Sequence, residues 1–393
     1  MRAQQTNAER HLPLAKPEFD EREFQAVRRV LESGWVVQGP EVAAFESAIA
    51  KMHGARHCVA VSSGTAALHV SYLALGIGAG DAVFVPGFAW PSAANMAVAT
   101  GARPVFVDVL PETYNIDPDD LRVQIERCLR HGWAKPRAVV PVHQFGLAAD
   151  VAGVLSAAGE YDLDVVEDAA CAIGSTWQGK PVGTLGRLGI FSFHPRKSIT
   201  TGEGGAIVTN EDELANRCRV LRNHGQELVD GKRDFSAAGM NYRMTEIQAA
   251  VGTVQLAKFP EILAIRRELA TRYIEQLADQ RELELPQSHH EHTWQTLMVV
   301  LDDSLDRGQI VDRLAAEGIE VGPGSVAGHC AAFYRAELGY RPDDLPCSAR
   351  LNRAGLALPL HSRMRPEHAD DCASVLCASL HCAASAGGRQ LCR

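Results

Sequence analysis

Residues 191–205 read Phe-Ser-Phe-His-Pro-Arg-Lys-Ser-Ile-Thr-Thr-Gly-Glu-Gly-Gly. This stretch sets Lys197 in a short polar loop flanked by glycines, downstream of an apolar run that ends in the acidic pair Glu167-Asp168. A lysine amine that attacks an aldehyde must be held, partly desolvated, beside the group that binds the cofactor. Lys197 alone is typical of a surface lysine, so its interpretation depends on the residues that accompany it along the chain.

Short β-branched runs alternate with helical patterns before this stretch. The runs lie at residues 59–62, 82–85, 104–108, 138–142 and 164–168, and the helical patterns between them at 65–75, 92–100 and 149–158. Such alternation predicts an α/β fold with a mostly parallel sheet covered by helices. Ligands of these sheets bind beyond the carboxyl ends of the strands, so the residues that follow each run are the functional candidates.

Three of those strand ends carry suitable side chains. Gly64 and Thr65 open a helix, where free backbone N–H groups and the helix dipole favour a phosphate, although an ordinary helix cap has the same pattern. Trp90 fits stacking on a planar ring, and it fits a core aromatic equally well. Asp168 ends an apolar strand, and a buried carboxylate requires a cationic or hydrogen-bonding partner. A protonated pyridine nitrogen would be such a partner, and so would a local cap or turn.

Together these residues match the two ends of one cofactor. Pyridoxal phosphate (PLP) would place its phosphate at Gly64, its ring nitrogen at Asp168 and its aldehyde at Lys197. The independent occurrence of all three in this order is improbable. The sequence therefore predicts a PLP site.

The chain also resembles the sugar aminotransferases named after the DegT, DnrJ, EryC1 and StrS proteins, from about Leu12 to Leu380. The resemblance is carried by Ser33–Trp35, Ser62–His69, Pro104–Val109, Tyr114–Asp117, Glu167–Ala170, Phe191–Gly205, Arg222–Gly225, Gly239–Met244 and Leu358–His361. It implies the PLP fold type I of aspartate aminotransferase, with a large α/β domain at 12–260 and a smaller C-terminal α+β domain at 261–382. Residues 1–11 and 383–393 are expected to be an N-terminal tail and a flexible end.

The resemblance implies a role for each site residue. Lys197 would bond the cofactor aldehyde, Asp168 would pair with the ring nitrogen, and Trp90 would stack on the ring. Gly64, Thr65, Ala66 and Ser192 would surround the phosphate. Asn241 would reach the phosphate of a neighbouring subunit, which implies a homodimer with shared active sites. Cys171 stands where the family often has glutamine or histidine against the phenolic oxygen, and a thiol donates only a weak hydrogen bond.

The implied activity is transfer of an amino group, with L-glutamate as the donor, to a keto-sugar. A nucleotide-linked keto-deoxysugar is the first expectation for the acceptor and a keto-cyclitol of an aminoglycoside pathway the second, with His143, Arg196 and His329 as candidate acceptor contacts. No cluster of arginines marks a diphosphate groove, which keeps the cyclitol open. A PLP-dependent sugar dehydratase or a non-catalytic PLP-binding regulator would not require Lys197.

Composition narrows the remaining classes. The 393 residues carry a net charge of −9, which disfavours a nucleic-acid surface. The polar N-terminus and the absence of a long apolar run predict neither a secretory signal nor a membrane span. The ten cysteines follow no common zinc spacing, so free thiols, a cytoplasmic protein and no bound metal are expected.

Overall fold

The protein is described by a computed structural model that covers residues 11–287 and 289–390. Its strands are β1 His57–Val61, β2 Asp81–Pro86, β3 Arg103–Val107, β4 Lys135–Val139, β5 Asp164–Asp168, β6 Thr176–Trp177, β7 Lys180–Pro181, β8 Leu188–Ser192, β9 Gly205–Thr209, β10 Gln226–Val229, β11 Lys232–Phe235, β12 Leu283–Glu284, β13 Leu297–Leu301 and β14 Gly355–Leu358. Its α-helices are α1 Glu21–Ser33, α2 Pro40–His53, α3 Gly64–Leu75, α4 Ser92–Ala99, α5 Pro118–His131, α6 Val151–Glu160, α7 Asp212–Arg222, α8 Glu246–Leu277, α9 Arg307–Ala316, α10 Ala332–Leu338, α11 Pro346–Ala354 and α12 Pro366–Gln390.

In this part of the chain, seven strands form one sheet in the order β1-β9-β8-β5-β4-β2-β3. Every pairing from β8 to β3 is parallel, whereas β9 runs antiparallel to both of its neighbours, β1 and β8. The predicted α/β class with a mostly parallel sheet is confirmed. Because the sheet is mainly parallel, the ends of β5 and β8 reach the same edge.

Helices cover both faces of this sheet, which is why its strands are apolar almost throughout. On one face Leu68 and Val70 of α3 pack with Val59 and Ile190 in a single cluster of buried side chains. The opposite face is covered by α2 and α8. Each fully buried valine or leucine of this kind stabilises the fold by about 1.5–3 kcal/mol relative to an exposed one. The sheet is therefore a rigid base for the loops at its edge.

The long helix α8 connects the two ends of the fold. Thr245 caps it, accepting a hydrogen bond from the backbone N–H of Gln248, and its first turns pack against α1 and α2. Its last turns pack against α12, beside the antiparallel sheet β12-β13-β14. The expected boundary between residues 260 and 261 falls inside this helix, at Pro260.

The structure covers the two expected tails only in part. Of the expected N-terminal tail only residue 11 belongs to the described part. Helix α12 continues through residues 383–390, which the sequence assigned to a flexible end, and residues 391–393 lie outside the described part. Among the residues covered, no helix combines the length and hydrophobicity that a membrane span requires.

Candidate active site

Asp168 ends β5 and is 7 % exposed. Its Oδ1 accepts a hydrogen bond of 3.0 Å from the backbone N–H of Ala170. Burial raises the pKa of this carboxyl, and the hydrogen bond from Ala170 and the charge of Lys197 offset only part of the rise. A cation placed against Asp168 would therefore be strongly favoured.

Lys197 lies in the loop that joins β8 to β9. This loop is closed at its base by two backbone hydrogen bonds, from Phe193 N to Gly204 O at 2.9 Å and from Thr201 N to Phe193 O at 3.0 Å. The Lys197 amine donates to Cys171 Sγ at 3.0 Å. Cys171 is the third residue after Asp168, so the amine, the thiol and the carboxylate lie together at the end of β5. These three side chains define the region called the cleft below. The structure thus brings together three residues that the sequence selected separately.

Gly64, Thr65 and Ala66 form the first turn of α3, and the Ser63 side chain caps this turn by accepting from Ala66 N at 3.0 Å. A Cβ atom added to Gly64 would lie 2.8 Å from the Cβ of Ser192. Only glycine permits this approach of α3 to the end of β8. Thr65 is exposed and Ser192 half-buried, so backbone N–H groups and hydroxyls meet at the start of a helix, where an anion binds well.

Trp90 and Asn241 are both exposed. Trp90 follows β2 and is 68 % exposed, so it is not part of the core. Asn241 lies in the segment before α8, where its backbone pairs with that of Asn223. Neither side chain is held by the hydrophobic core, and both are free to contact a ligand or another subunit.

His143 does not face the cleft, contrary to the expectation that it contacts the acceptor. It is fully buried, and its Nε2 lies 3.0 Å from Glu167 Oε2. Its Nδ1 accepts from the backbone N–H of Ala149 at 3.0 Å, so Nε2 carries the proton and donates it to Glu167. Both ring nitrogens are occupied, and no position is left for a substrate.

Glu167 explains why His143 turns inward. Burial raises the pKa of its carboxyl, but hydrogen bonds from His143 and from the backbone N–H groups of Gly186 and Gly183 outweigh burial and hold the pKa below its usual range. In the sequence Glu167 is visible only as one half of the acidic pair at the end of β5, with no partner nearby. Two successive acids at a strand end point to opposite faces, which is the signal that one of them is structural.

His329 and Arg196, the other two expected acceptor contacts, differ in burial. His329 is fully buried, with its ring beside those of Phe106 and Tyr340, and burial lowers its pKa. This burial argues against the expected acceptor contact of His329. The Arg196 side chain is exposed, and its backbone oxygen accepts from Gln295 Nε2 at 2.8 Å. Of the three expected acceptor contacts, only Arg196 is available.

The residues of this cleft fit PLP. The buried carboxylate of Asp168, whose pKa is raised by burial, would be matched by a protonated ring nitrogen. The start of α3, opened by Gly64 against Ser192, suits the phosphate, and the amine of Lys197 suits the aldehyde. Cys171 lies against that amine, where the sequence placed the phenolic oxygen of the cofactor.

Comparison with known proteins agrees with this site. A sequence model of the DegT/DnrJ/EryC1/StrS aminotransferase family matches residues 17–376. A DegT DnrJ EryC1 StrS aminotransferase from Brucella abortus is similar in structure, with 33 % identity and a TM-score of 0.85 over 91 % of this chain and 95 % of that one.

Two further solved structures are similar at lower identity. Spr1654 of Streptococcus pneumoniae, assigned as a sugar aminotransferase, shares 25 % identity with a TM-score of 0.88 over 94 % of this chain and 98 % of its own. It has been solved in PLP and PMP forms. Helicobacter pylori PseC, an aminotransferase involved in the biosynthesis of pseudoaminic acid, shares 25 % identity with a TM-score of 0.87 over 94 % of this chain and 99 % of its own.

Proposed function

Because the chain belongs to the DegT/DnrJ/EryC1/StrS aminotransferase family, whose members depend on PLP, we propose that it transfers the amino group of L-glutamate to a nucleotide-linked keto-deoxysugar. The observation that carries the proposal is the position of the Lys197 amine, which lies 3.0 Å from Sγ of Cys171, the third residue after the buried Asp168. The start of α3 supplies the anion site that completes the cleft.

Lys197 acts through its Nζ atom. When bound, the cofactor supplies an aldehyde that takes up the amino group and a ring that withdraws electrons from the substrate carbon. The Nζ atom of Lys197 holds the cofactor between turnovers and, once free, removes the proton from the α-carbon of the amino acid. Cys171 Sγ accepts a hydrogen bond from Nζ and orients the amine when it is free.

Asp168 and the start of α3 hold the two ends of the cofactor. The carboxylate of Asp168 keeps the ring nitrogen protonated, which maintains the electron withdrawal. The backbone N–H groups of Gly64 and Thr65 and the hydroxyl of Ser192 would bind the phosphate, and Trp90 would cover the ring; the N–H of Ala66, also expected at the phosphate, donates to Ser63 Oγ instead. Because the Gly64 backbone is packed against Ser192, the phosphate contacts are preorganised.

Arg196 is the acceptor contact that we retain. Its exposed side chain lies in the same loop as Lys197, one residue before it, and a guanidinium binds a phosphate oxygen pair well. A nucleotide-linked acceptor should therefore compete with free nucleoside diphosphate, and Arg196→Gln should weaken that competition. If no common nucleoside diphosphate competes and a keto-cyclitol is turned over, the acceptor is the cyclitol instead.

The first test is spectroscopic. Addition of L-glutamate to the PLP-loaded protein should convert the visible absorption to that of the PMP form, and addition of a keto-sugar should restore it. Lys197→Ala is the control, because it retains the phosphate site and lacks the amine. A protein that binds PLP and leaves its absorption unchanged with every amino acid tested would contradict the proposal.

We also propose a homodimer with shared active sites. Exposed apolar side chains support a second copy of this chain as the partner. They lie on α1, on the segment after it and on the β10–β11 hairpin, namely Phe24, Leu31, Trp35, Val36, Val37, Leu228 and Phe235. Asn241 is exposed near the β10–β11 hairpin and would bind the partner's cofactor phosphate.

A cytoplasmic location is supported by the nine cysteines of the described residues, which are all free.

Mixing two inactive variants tests the sharing of sites. Asn241→Asp places a negative charge where the phosphate is expected, and Lys197→Ala removes the amine. If each site uses Asn241 of the other subunit, a mixed dimer contains one site with both defects and one intact site, and activity returns on mixing. If activity returns neither on mixing nor on co-expression, and the sample is shown to contain dimers, each site is built from one chain.

A further inference from the structure

The segment that carries Asn241 is fastened to the start of α3 of its own chain. Residues 240–243, called the Asn241 segment below, run beside β1, the end strand of the seven-stranded sheet. There Ser62 N donates to Tyr242 O at 2.8 Å. Ser62 directly precedes Ser63, whose side chain caps α3. The backbone of the Asn241 segment is therefore held next to the turn that we propose binds the phosphate.

One side-chain contact joins the same segment to the body of α3. His69 Nδ1 lies 3.0 Å from the hydroxyl oxygen of Tyr242, a hydrogen-bonding distance, and the centroids of the two rings are 5.8 Å apart. His69 is buried in α3, and Tyr242 packs against the apolar cluster that contains Leu68 and Val70. The contact thus links the core of α3 to the residue that follows Asn241.

Asn241 and Tyr242 point to opposite sides of the segment. Both Asn241 and Arg243 form antiparallel bridges, so the backbone between them is extended. Successive side chains of an extended backbone point to opposite sides. Tyr242 turns inward to His69, and Asn241 is exposed. A fixed Tyr242 side chain therefore also fixes the direction of Asn241.

Of the two elements that this contact joins, α3 is held more firmly. The residues of its first two turns that face the core are buried, namely Ala66, Ala67, Leu68 and Val70. The Asn241 segment is only half-buried at Met240, Tyr242 and Arg243. Elements with fewer buried contacts open more easily. Loss of the contact should therefore shift the segment and leave the helix in place.

We propose that His69 and Tyr242 are positioning residues for the cofactor phosphate of the neighbouring subunit. The inference rests on the proposed homodimer, in which Asn241 of each chain reaches the phosphate bound by the other chain. His69 and Tyr242 act through Asn241 and not by contact with the cofactor. The phosphate affinity of one subunit thus depends on a hydrogen bond made entirely within its partner.

Mixed dimers test this dependence. Two chains with different affinity tags are co-expressed, and one of them carries Lys197→Ala, so that only the other site gives the visible absorption of lysine-bound PLP. Tyr242→Phe removes the hydroxyl and keeps the ring. On the chain with Lys197→Ala, it should weaken PLP binding at the remaining site by about 2- to 10-fold, the loss expected for one hydrogen bond. The Kd is measured by absorption titration with PLP.

The second placement distinguishes positioning from a structural role. On the chain that keeps Lys197, Tyr242→Phe should change the Kd for PLP less, because the remaining site then receives Asn241 from an unaltered chain. Turnover at saturating PLP should stay close to that of the parent mixed dimer in both placements. An effect on Kd that is equal in the two placements, larger on the chain that keeps Lys197, or absent from both would overturn the proposal.

His69→Leu tests the other partner of the hydrogen bond. On the chain with Lys197→Ala it should weaken PLP binding as Tyr242→Phe does, and the two changes together should add little, because they remove the same contact. Fully additive effects would show that the two residues act separately. Tyr242→Phe alone decides the result if the His69 variant does not fold.

Tyr340→Phe is the matched control. Tyr340 is half-buried like Tyr242, and its hydroxyl accepts from Phe106 N at 3.0 Å, beside β3 at the opposite end of the sheet. Its variant loses one tyrosine hydroxyl and should leave the Kd for PLP unchanged in both placements. A change as large as that of Tyr242→Phe would mean that any lost tyrosine hydroxyl has this effect, and would refute the proposal.

Asn241→Asp in the same two placements separates this inference from the proposed function. If it weakens PLP binding only at the site of its own chain, the shared site is wrong and the inference fails with it. If it weakens binding at the site of the other chain and Tyr242→Phe does not, the shared site stands and only the positioning role of Tyr242 is overturned.

Discussion

Replacing Asp168 by asparagine should stabilise the cofactor-free protein and abolish its activity. The carboxylate is 7 % exposed, receives one backbone hydrogen bond, and has a pKa raised by burial. A buried polar group whose hydrogen-bonding capacity is unmet costs about 1–3 kcal/mol, and a charge costs more. Asparagine keeps the shape and the acceptor for Ala170 N and removes the charge, so we expect a gain of about 1–3 kcal/mol.

The assay is thermal unfolding of the protein freed of PLP. One kcal/mol corresponds to about 2–4 °C for a domain of 150–250 residues and to less for a longer chain, so the expected rise is a few degrees. In the presence of PLP the order should reverse, because the variant loses the partner of the ring nitrogen. A cofactor-free Asp168→Asn protein that melts below the wild type would refute the reasoning.

The pH dependence has a definite sign. The carboxyl has a pKa of about 3.9 in the unfolded chain and a higher pKa in the folded protein. As the pH rises from the first pKa through the second, this carboxyl increasingly destabilises the folded state. The advantage of the Asp168→Asn variant should therefore vanish below about pH 4 and grow as the pH rises through the raised folded value. An advantage that does not change with pH would have another origin.

Asp164 is the matched control, because it stands at the other end of the same strand. Its carboxylate is 9 % exposed and pairs with Arg137 at 2.9 Å and Arg187 at 2.7 Å. Removing one partner of such a pair costs up to 3–5 kcal/mol when all groups are buried, and less here because both arginines are partly exposed. Asp164→Asn should therefore destabilise the protein with and without PLP.

Three further changes test the cleft. Lys197→Ala should abolish transfer of the amino group, measured by turnover, and the absorption of the lysine-bound cofactor, measured by visible spectroscopy. The melting temperature of the cofactor-free protein should stay within about 2 °C of the wild type, because the amine is not part of the core. Gly64→Ala should weaken PLP binding at least about tenfold, measured by fluorescence titration. The added Cβ would lie 2.8 Å from the Cβ of Ser192, and shifting the first turn of α3 to relieve this contact costs about 1–3 kcal/mol. An unchanged Kd would show that this turn is not part of the phosphate site. Cys171→Gln should tighten PLP binding about 2- to 10-fold, because an amide donates a hydrogen bond worth about 0.5–1.5 kcal/mol where the thiol donates weakly; looser binding would mean that the thiol does not face the phenolic oxygen.

The layered fold followed from the sequence because its strands are short, apolar and separated by helical patterns. The strand predicted at residues 164–168 coincides with β5, and the first helix predicted at 65–75 differs from α3 by one residue. The strand predicted at 138–142 ends three residues earlier, at Val139. Pro141 lacks a backbone N–H and interrupts the regular ladder, and the pairing with β5 resumes only as an isolated bridge between Val142 and Asp168.

The site was harder to predict because burial is set by tertiary contacts. His143 follows an apolar run just as Asp168 ends one, yet its ring turns inward to Glu167. His329 packs beside Phe106, which lies far away in the sequence. The contact between Lys197 and Cys171 joins two loops. Nothing in the local sequence distinguishes these cases, since each depends on which elements the fold places side by side.

The position of β9 has a consequence for synthesis of the chain on the ribosome. Strand β1 ends at Val61, and its ladder partner in the sheet, β9, begins at Gly205. β1 is therefore made long before the strand that pairs with it, and its backbone groups stay open to other chains in the meantime. A nascent chain interrupted between these two points would expose an unpaired apolar strand, so we expect such fragments to require a chaperone or to aggregate. Insertion of β9 between β1 and β8 ends this period and, in the same step, brings the turn at Gly64 against Ser192.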